Sequence, residues 1–346
     1  MDNKLDILSM TYKELEDKIV ELGEPKYRAK QVYSWISKGM WGDKMTNVPK
    51  SLIEKLNDNF VFRLPQIEKK LVSKLDSTKK YLLKLYDGEC IESVFMKYEH
   101  GNTICISSQV GCRMGCRFCA STIAGKVRDL FPSEMIGQVI AVENDTEERI
   151  SNVVMMGIGE PLDNYENTVK FLKIVSSEES LNIGLRHISV STCGLVDKIC
   201  EFAKENLPVT LSISLHAYDD EVRSSIMPIN NKYNIKELLS ACEYYFGKTG
   251  RRISFEYTLI ADKNDTQEGA EKLAKVLKTY IKTTPHVNLI PLNEVSERDF
   301  VTSKRVNAFK EKLIECGINA TVRRKLGSDI NASCGQLRRQ SQKEKQ

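Results

Sequence analysis

The sequence predicts an α/β protein: a partial (β/α)6 barrel of the TIM type, preceded by a small helical domain and a short β extension. Three observations carry that expectation. Over residues 1–65 apolar side chains recur at three- and four-residue spacing, the period of helices packed on one face. Over 66–98 short runs alternate apolar and polar residues, as in an antiparallel meander. From about residue 99 to 335, β-type runs alternate with helical periodicity about six times. That alternation argues for parallel strands with helices outside them, and it falls short of the eight units that close a (β/α)8 barrel.

In chain order, helices are expected over 12–22, 26–38 and 50–57, with Pro49 and Ser51 marking the entry to the third. The meander strands are expected over 70–75, 80–85 and 90–97, with Asp87-Gly88 as the turn between the last two. Barrel strands are expected over 103–107, 152–156, 187–191, 210–215, 252–258, 286–290 and 320–322. Helices over 132–143, 164–175, 195–205, 235–246, 266–280 and 303–316 separate them. Residues 336–346 form a polar tail expected to fray.

At 346 residues, with 41% hydrophobic and 28% charged side chains, the chain can fill a substantial core and cover it with a soluble surface. Its N-terminus has no apolar run resembling a signal peptide, and no apolar stretch is long enough to span a bilayer. The expectation is a cytoplasmic protein with no membrane partner. Ten cysteines in a reducing compartment point to metal binding or redox work. Net charge is only +4, but the basic residues cluster: Lys69, Lys70, Lys79 and Lys80, then Arg323, Arg324 and Lys325, then Arg338, Arg339, Lys343 and Lys345. These are candidate phosphate contacts, against the commoner reading of a solvated lysine face.

The sharpest motif is Gly111-Cys-Arg-Met-Gly-Cys-Arg-Phe-Cys-Ala120, in which Cys112, Cys116 and Cys119 are spaced C-x3-C-x2-C. Structural zinc sites pair C-x2-4-C with a second Cys or His pair, and no such pair follows. Inert packed cysteines would not need this spacing. Three thiolates on one tight loop can hold three corners of a [4Fe–4S] cube and leave the fourth iron open, whereas electron-transfer clusters normally take four cysteines. With Phe118 before the last cysteine, the loop resembles the signature of the radical S-adenosylmethionine (radical SAM) superfamily. In that superfamily the cofactor's amino and carboxylate groups occupy the open iron.

A barrel places its chemistry at the carboxyl ends of the strands. One strand runs into the turn Gly157-Ile-Gly-Glu-Pro161, where the glycines allow close backbone approach and Glu160 needs a partner if buried. Gly159 and Glu160 match the GGE-like motif of the superfamily and are assigned to the cofactor's amino group. Further polar exits are Ser191 and Thr192, then Ser214 and His216 with the apolar Leu215 between them as a further cofactor contact, then Asn293. Any one of them is an ordinary turn cap; their recurrence on successive strands predicts a pocket for carboxylate, ribose or purine. Cys105 and Cys334 lie outside the motif, and each taken alone reads as a packed or exposed thiol. Cys90, Cys193, Cys200, Cys242 and Cys316 carry no paired signal.

Across Ser107–Ser121, Met156-Gly-Ile-Gly-Glu-Pro-Leu, Ser214-Leu-His-Ala, Ile226-Met-Pro-Ile-Asn230 and the segment around Cys334, the chain resembles the RlmN/Cfr family of RNA methyltransferases. Residues 1–65 resemble the family's accessory RNA-contacting domain more loosely. The resemblance implies a [4Fe–4S] cluster and two molecules of S-adenosylmethionine per turnover. One methylates Cys334; the other yields a 5′-deoxyadenosyl radical that activates the S-methyl group for addition to adenine. It implies that Cys105 resolves the protein–RNA adduct by a transient disulfide with Cys334, and that either Glu92 or Cys105 accepts the ring proton, Glu92 alone reading as an exposed strand residue. The implied partners are 23S rRNA, tRNA and an electron donor, with the enzyme a monomer. Pro161 after Glu160 and the paired Arg323-Arg324 favour adenine C2 over C8 as the methylated carbon; the alternatives are C8 methylation of the same adenosine and, from another class, an Fe–S RNA-binding protein without catalysis. Asn331 departs from the Asp usual in the family before the Ala-x-Cys.

Overall fold

The computed structural model describes residues 4–295, 297–332 and 337–338. Strand β1 (Leu5–Asp6) leads into helices α1 (Tyr12–Glu21), α2 (Tyr27–Ile36) and α3 (Lys50–Asn59), and β2 (Phe60–Val61) returns to pair in parallel with β1. Helix α1 begins where it does because Thr11 and Glu14 form a capping box, each side chain accepting the other's backbone N–H. Leu15, Ile19, Val32, Ile36, Leu52 and Leu56 form the buried face of this unit. That face joins the same core as Met135, Ile136, Val139 and Ile140. Polar ties reinforce the joint, with Ser133 Oγ donating to Asp6 at 2.7 Å.

The meander consists of β3 (Gln66–Val72), β4 (Lys79–Lys84), β5 (Cys90–Tyr98) and β6 (Gly101–Cys105), each antiparallel to the next. Its first strand lies several residues earlier than expected, because Ser73 N–H bonds Thr78 O at 2.8 Å and closes a turn over 73–78. A small antiparallel hairpin, β7 (Gln109–Gly111) with β8 (Lys126–Asp129), was not expected from the sequence. The alternating part follows with α4 (Pro132–Thr146), β9 (Asn152–Met155), α5 (Tyr165–Val175), β10 (Ile188–Thr192), α6 (Val196–Lys204) and β11 (Thr210–Ser214). It ends with α7 (Asp220–Ile226), α8 (Ile235–Thr249), β12 (Ile253–Leu259), α9 (Gln267–Tyr280), β13 (His286–Pro291), α10 (Val306–Glu315) and β14 (Asn319–Val322).

Among the described residues one ten-stranded sheet runs β14-β13-β12-β11-β10-β9-β6-β5-β4-β3. All pairs from β6 to β14 are parallel, so the meander continues the barrel wall through the antiparallel β5–β6 pair. The ends of the order, β14 and β3, leave the barrel open. Strand alternation sorts side chains between its two faces. Val190, Leu211, Ile213, Phe255, Val287 and Leu289 face the helices and are at most 1% exposed. Ser191, Ser212, Ser214, Glu256 and Asn288 share the other face, in register across β10 to β13. A closed eight-stranded barrel fills its interior with branched apolar side chains. Here the interior face is polar, which leaves room for a ligand. Among the described residues no helix is long and apolar enough to cross a membrane.

Two basic residues change role in the fold. Lys80 is 1% exposed and paired with Glu92, and Arg338 is 4% exposed and paired with Glu89, so neither is available to phosphate. Leu337 and Arg338 are buried rather than frayed, and residues 339–346 lie outside the described residues.

Candidate active site

The β7–β8 hairpin joins the two ends of the cysteine loop at its base. Cys112 N–H bonds Gly125 O at 3.0 Å, and Cys119 N–H bonds Cys116 O at 3.2 Å. Thr122 Oγ1 lies 3.0 Å from the carbonyls of both Cys116 and Cys119. Gly111 and Gly115 take φ of +79° and +75°, which glycine adopts without steric penalty. Asp163, just past the Gly-rich turn, ties the loop to that turn: it accepts from Arg113, from Lys126 at 2.9 Å and from Gln109 at 2.8 Å. Burial pushes the Asp163 carboxyl up, but these three donors outweigh it and hold the group below its ordinary range.

Cys112, Cys116 and Cys119 line one cavity of about 250 Å³. Burial, with the neighbouring thiols adding to it, pushes Cys112 up to about 12 and Cys116 well above its ordinary value. Thiols raised in this way become thiolates together only beside strong positive charge, which an iron cluster supplies. Among the described residues no group of three His, Cys, Asp or Glu side chains suits a single metal ion. A cube does not require that convergence, because it takes one thiolate at each of three irons. The donor set fits a [4Fe–4S] cluster.

The same cavity is lined by Gly159, Glu160, Ser191, Ser214, His216 and Asn293. Gly159 has φ +111°, and a Cβ there would lie 2.6 Å from Gln109 Cβ. The Gly-rich turn therefore packs directly on the strand that enters the cysteine loop. Glu160 is 3% exposed; its carboxylate accepts Cys193 N–H at 2.7 Å and Leu162 N–H at 3.1 Å, and burial raises its pKa. A carboxylate has about four acceptor positions, so capacity remains for a ligand ammonium. His216 stands at φ +56°, in edge-to-face contact with Phe118 at 5.0 Å. Its Nδ1 accepts Thr258 N–H at 2.9 Å, which assigns the ring proton to Nε2. Burial, and then the Arg223 charge, push His216 down to about 3, so the ring is neutral. Leu215 is the exception among the expected contacts: its side chain is fully buried in the hydrophobic core and does not line the cavity.

A second cavity of about 480 Å³ adjoins the first, with Met156, Gly157, Asn293 and Arg323 lining both. Cys105 and Glu92 open onto it, as do the exposed side chains of Arg324 and Lys325. Sheet register explains the grouping. Cys105 pairs with Val94 on β5, two residues from Glu92, so the three share a face. Burial raises the Cys105 pKa, opposed by Arg323 and by a hydrogen bond from Met156 N–H. Cys334 lies outside the described residues; the other nine cysteines are free thiols.

Several site residues escaped the sequence reading. Asp163 and Cys193 follow motif residues closely, yet nothing in their spacing marks them. Glu256 sits in an apolar strand and reaches the cavity through register with Ser214. Arg223 is fully buried and donates to Leu215 O, Cys193 O, Ser214 O and Asn230 Oδ1, all neutral acceptors.

Known proteins match this chain along nearly its whole length. The family described as "Radical SAM superfamily" matches residues 106–277, and "Ribosomal RNA large subunit methyltransferase N-terminal domain" matches residues 5–62. A "Probable dual-specificity RNA methyltransferase RlmN" of Clostridium botulinum (strain Eklund 17B / Type B) is 56% identical over 96% of this chain and 96% of its own length. A protein of the same description from Clostridium novyi (strain NT) is 52% identical, covering 96% of this chain and 98% of its own. The crystal structure of a radical SAM methyltransferase from Sphaerobacter thermophilus is 41% identical, with a TM-score of 0.90 over 96% of this chain and 98% of that one. With its cysteine loop, its open parallel barrel and these relatives, the chain belongs to the RlmN family of radical SAM RNA methyltransferases.

Proposed function

We propose that this enzyme methylates C2 of an adenosine in 23S rRNA, and an adenosine of tRNA, through an S-methylcysteine at Cys334 and a transient Cys105–Cys334 disulfide. The observation that carries the reading is the shared wall of the two cavities, which sets the cysteine loop and Cys105 on either side of Met156 and Arg323. When bound, the cluster and S-adenosylmethionine together supply one-electron cleavage of the cofactor and hence a carbon radical. That chemistry suits an adenine ring carbon, which is a poor partner for polar methyl transfer. Two cofactor molecules per turnover follow, one for the methyl group and one for the radical.

The chain's own residues hold and orient. Cys112, Cys116 and Cys119 would bind three irons. Glu160 accepts from the cofactor's ammonium, assisted by the close approach at Gly159. Ser191 and Ser214 offer hydroxyls to its carboxylate or ribose, His216 offers Nε2–H, and Asn293 stands at the wall between the cavities; Leu215 stays outside, its N–H bonded to Glu256 O and its carbonyl to Arg223. The Cys105 thiolate attacks the Cys334 sulfur, so the disulfide forms as the bridging C–S bond breaks. The electron pair of that bond stays with the methylene carbon of the base, which takes up a proton to become the methyl group, and thiol reduction of the disulfide restores both cysteines. Glu92 lies on the same face to accept a proton. A low-potential one-electron donor is required. A monomeric working unit in the reducing cytoplasm completes the reading, where a transient disulfide is catalytic. Glu160-Pro161 and Arg323-Arg324 favour C2.

Nucleoside mass spectrometry of rRNA and tRNA treated with the reconstituted enzyme tests the reading. The expected product is 2-methyladenosine in both RNAs; 8-methyladenosine alone would overturn the assignment.

A further inference from the structure

The fold gives Lys80 and Glu92 a joint task. Lys80 pairs with Val94 on β5, and Val94 pairs with Cys105 on β6, so Lys80, Glu92 and Cys105 share one sheet face. Lys80 Nζ and Glu92 Oε2 are 3.0 Å apart, with side chains 1% and 2% exposed. A buried ion pair is tolerated when its remaining donors and acceptors are also satisfied. Part of that capacity goes to the C-terminal segment. Lys80 Nζ donates to Asn331 O at 2.9 Å, and Glu92 Oε1 accepts Arg338 N–H at 2.6 Å.

The surrounding contacts support the same docking. Asp76 accepts Gly327 N–H at 2.8 Å, and Asp329 accepts from Ser73 Oγ at 2.7 Å and Lys74 N–H at 2.8 Å. Arg338 pairs with Glu89 at 3.0 Å. Gly327 packs so tightly that a Cβ would lie 2.6 Å from Ala332 Cβ. Asn331 stands at φ +46°, a conformation that Asn and Asp tolerate better than other side chains, so the Asn found here meets the same backbone demand as Asp.

We propose that Lys80 is a positioning residue: its buried pair with Glu92 clasps Asn331 and Arg338, the two flanks of Cys334 in sequence, and sets the span from which Cys334 meets Cys105. The proposal rests on the Cys105–Cys334 reading above. Fixing both flanks raises the effective concentration of one thiol at the other.

The test uses the full chain with its cluster reconstituted, as parent, as Lys80→Met/Glu92→Leu and as Lys80→Arg. The double variant replaces the pair with apolar side chains and so avoids a buried unpaired carboxylate. Hydrogen exchange at peptides covering 327–332 and 337–338 reads the clasp. The effective concentration of the Cys105–Cys334 disulfide against glutathione disulfide, with two glutathiones released per bond formed, reads the positioning. Losing one hydrogen bond at each flank is expected to speed exchange about tenfold and to lower the effective concentration about tenfold in the double variant. Lys80→Arg keeps the charge and restores most of both. Unchanged exchange in the double variant overturns the clasp; faster exchange with an unchanged effective concentration overturns the positioning role. Failure of the parent chain to form the disulfide overturns the thiol pairing, and with it the positioning role, while exchange still judges the clasp.

Discussion

Replacing Gly159 with alanine strikes the joint between the Gly-rich turn and the cysteine loop. At φ +111° a residue with a Cβ is strained by about 1–3 kcal/mol. The new Cβ would also stand 2.6 Å from Gln109 Cβ, 2.7 Å from Gln109 N and 2.7 Å from Ser108 Oγ. Carbon contacts relax near ~3.5–4.0 Å, so the strand must retreat by about 1 Å. Overpacking of that kind adds about 1–3 kcal/mol. The sum is a loss of about 2–6 kcal/mol, and it falls on a strand that the Ile158 carbonyl holds through Ser108 and Gln109 N–H at 2.8 and 3.1 Å. Urea denaturation of the variant beside Gly88→Ala isolates the overlap. Gly88 has φ +86° with nothing within 4 Å of a Cβ, so it carries only the backbone part. Because Gln109 lies three residues before Cys112, iron bound per chain after anaerobic reconstitution is also expected to fall. If Gly159→Ala matches Gly88→Ala in stability and the parent in iron, the packing argument is wrong.

Three further outcomes follow from buried polar groups. His216, with a folded pKa of about 3 against 6.5 unfolded, binds fewer protons when folded. Its contribution to stability is therefore present above pH 6.5 and lost as pH falls toward 3, by ~5 kcal/mol at most; His216→Gln should flatten the slope of stability against pH across that window, and an unchanged slope refutes the assignment. Arg223→Met leaves the buried Leu215 and Cys193 carbonyls, the half-buried Ser214 carbonyl and Asn230 Oδ1 without their donor, at about 1–3 kcal/mol for each buried acceptor before relaxation. Calorimetry should show a large drop in Tm, partly recovered in Arg223→Lys. Asp6 runs opposite to His216: burial raises it from 3.8 to about 6, so it costs stability increasingly as pH rises through that window, by up to about 3 kcal/mol. Asp6→Asn should be more stable than the parent at pH 7 by urea denaturation, with the gain vanishing below pH 4.

Much of the barrel was legible because its signals are local. The seven parallel strands and their helices announce themselves as alternating runs, and the C-x3-C-x2-C loop needs only eight consecutive residues. The hairpin that frames the loop was missed because β7 and β8 are three and four residues long and separated by the motif itself. Lys80 and Arg338 were misread as surface cations, since composition cannot distinguish a lysine facing water from one facing Glu92. Glu256 and Arg223 were invisible for a related reason: a charged residue inside an apolar run has no partner that neighbouring letters could reveal.

What the sequence determined by itself is the set of elements and the identity of the thiols, because helical and strand periods and ligand spacing are properties of adjacent residues. What only the tertiary structure decided is which side chains meet. Register across β4, β5 and β6 brings positions 80, 92 and 105 to one face, and the open order of the sheet turns Ser191, Ser214 and Glu256 toward a shared cavity. Strand pairing joins residues far apart in the chain, and a shift of one residue would turn every side chain to the opposite face.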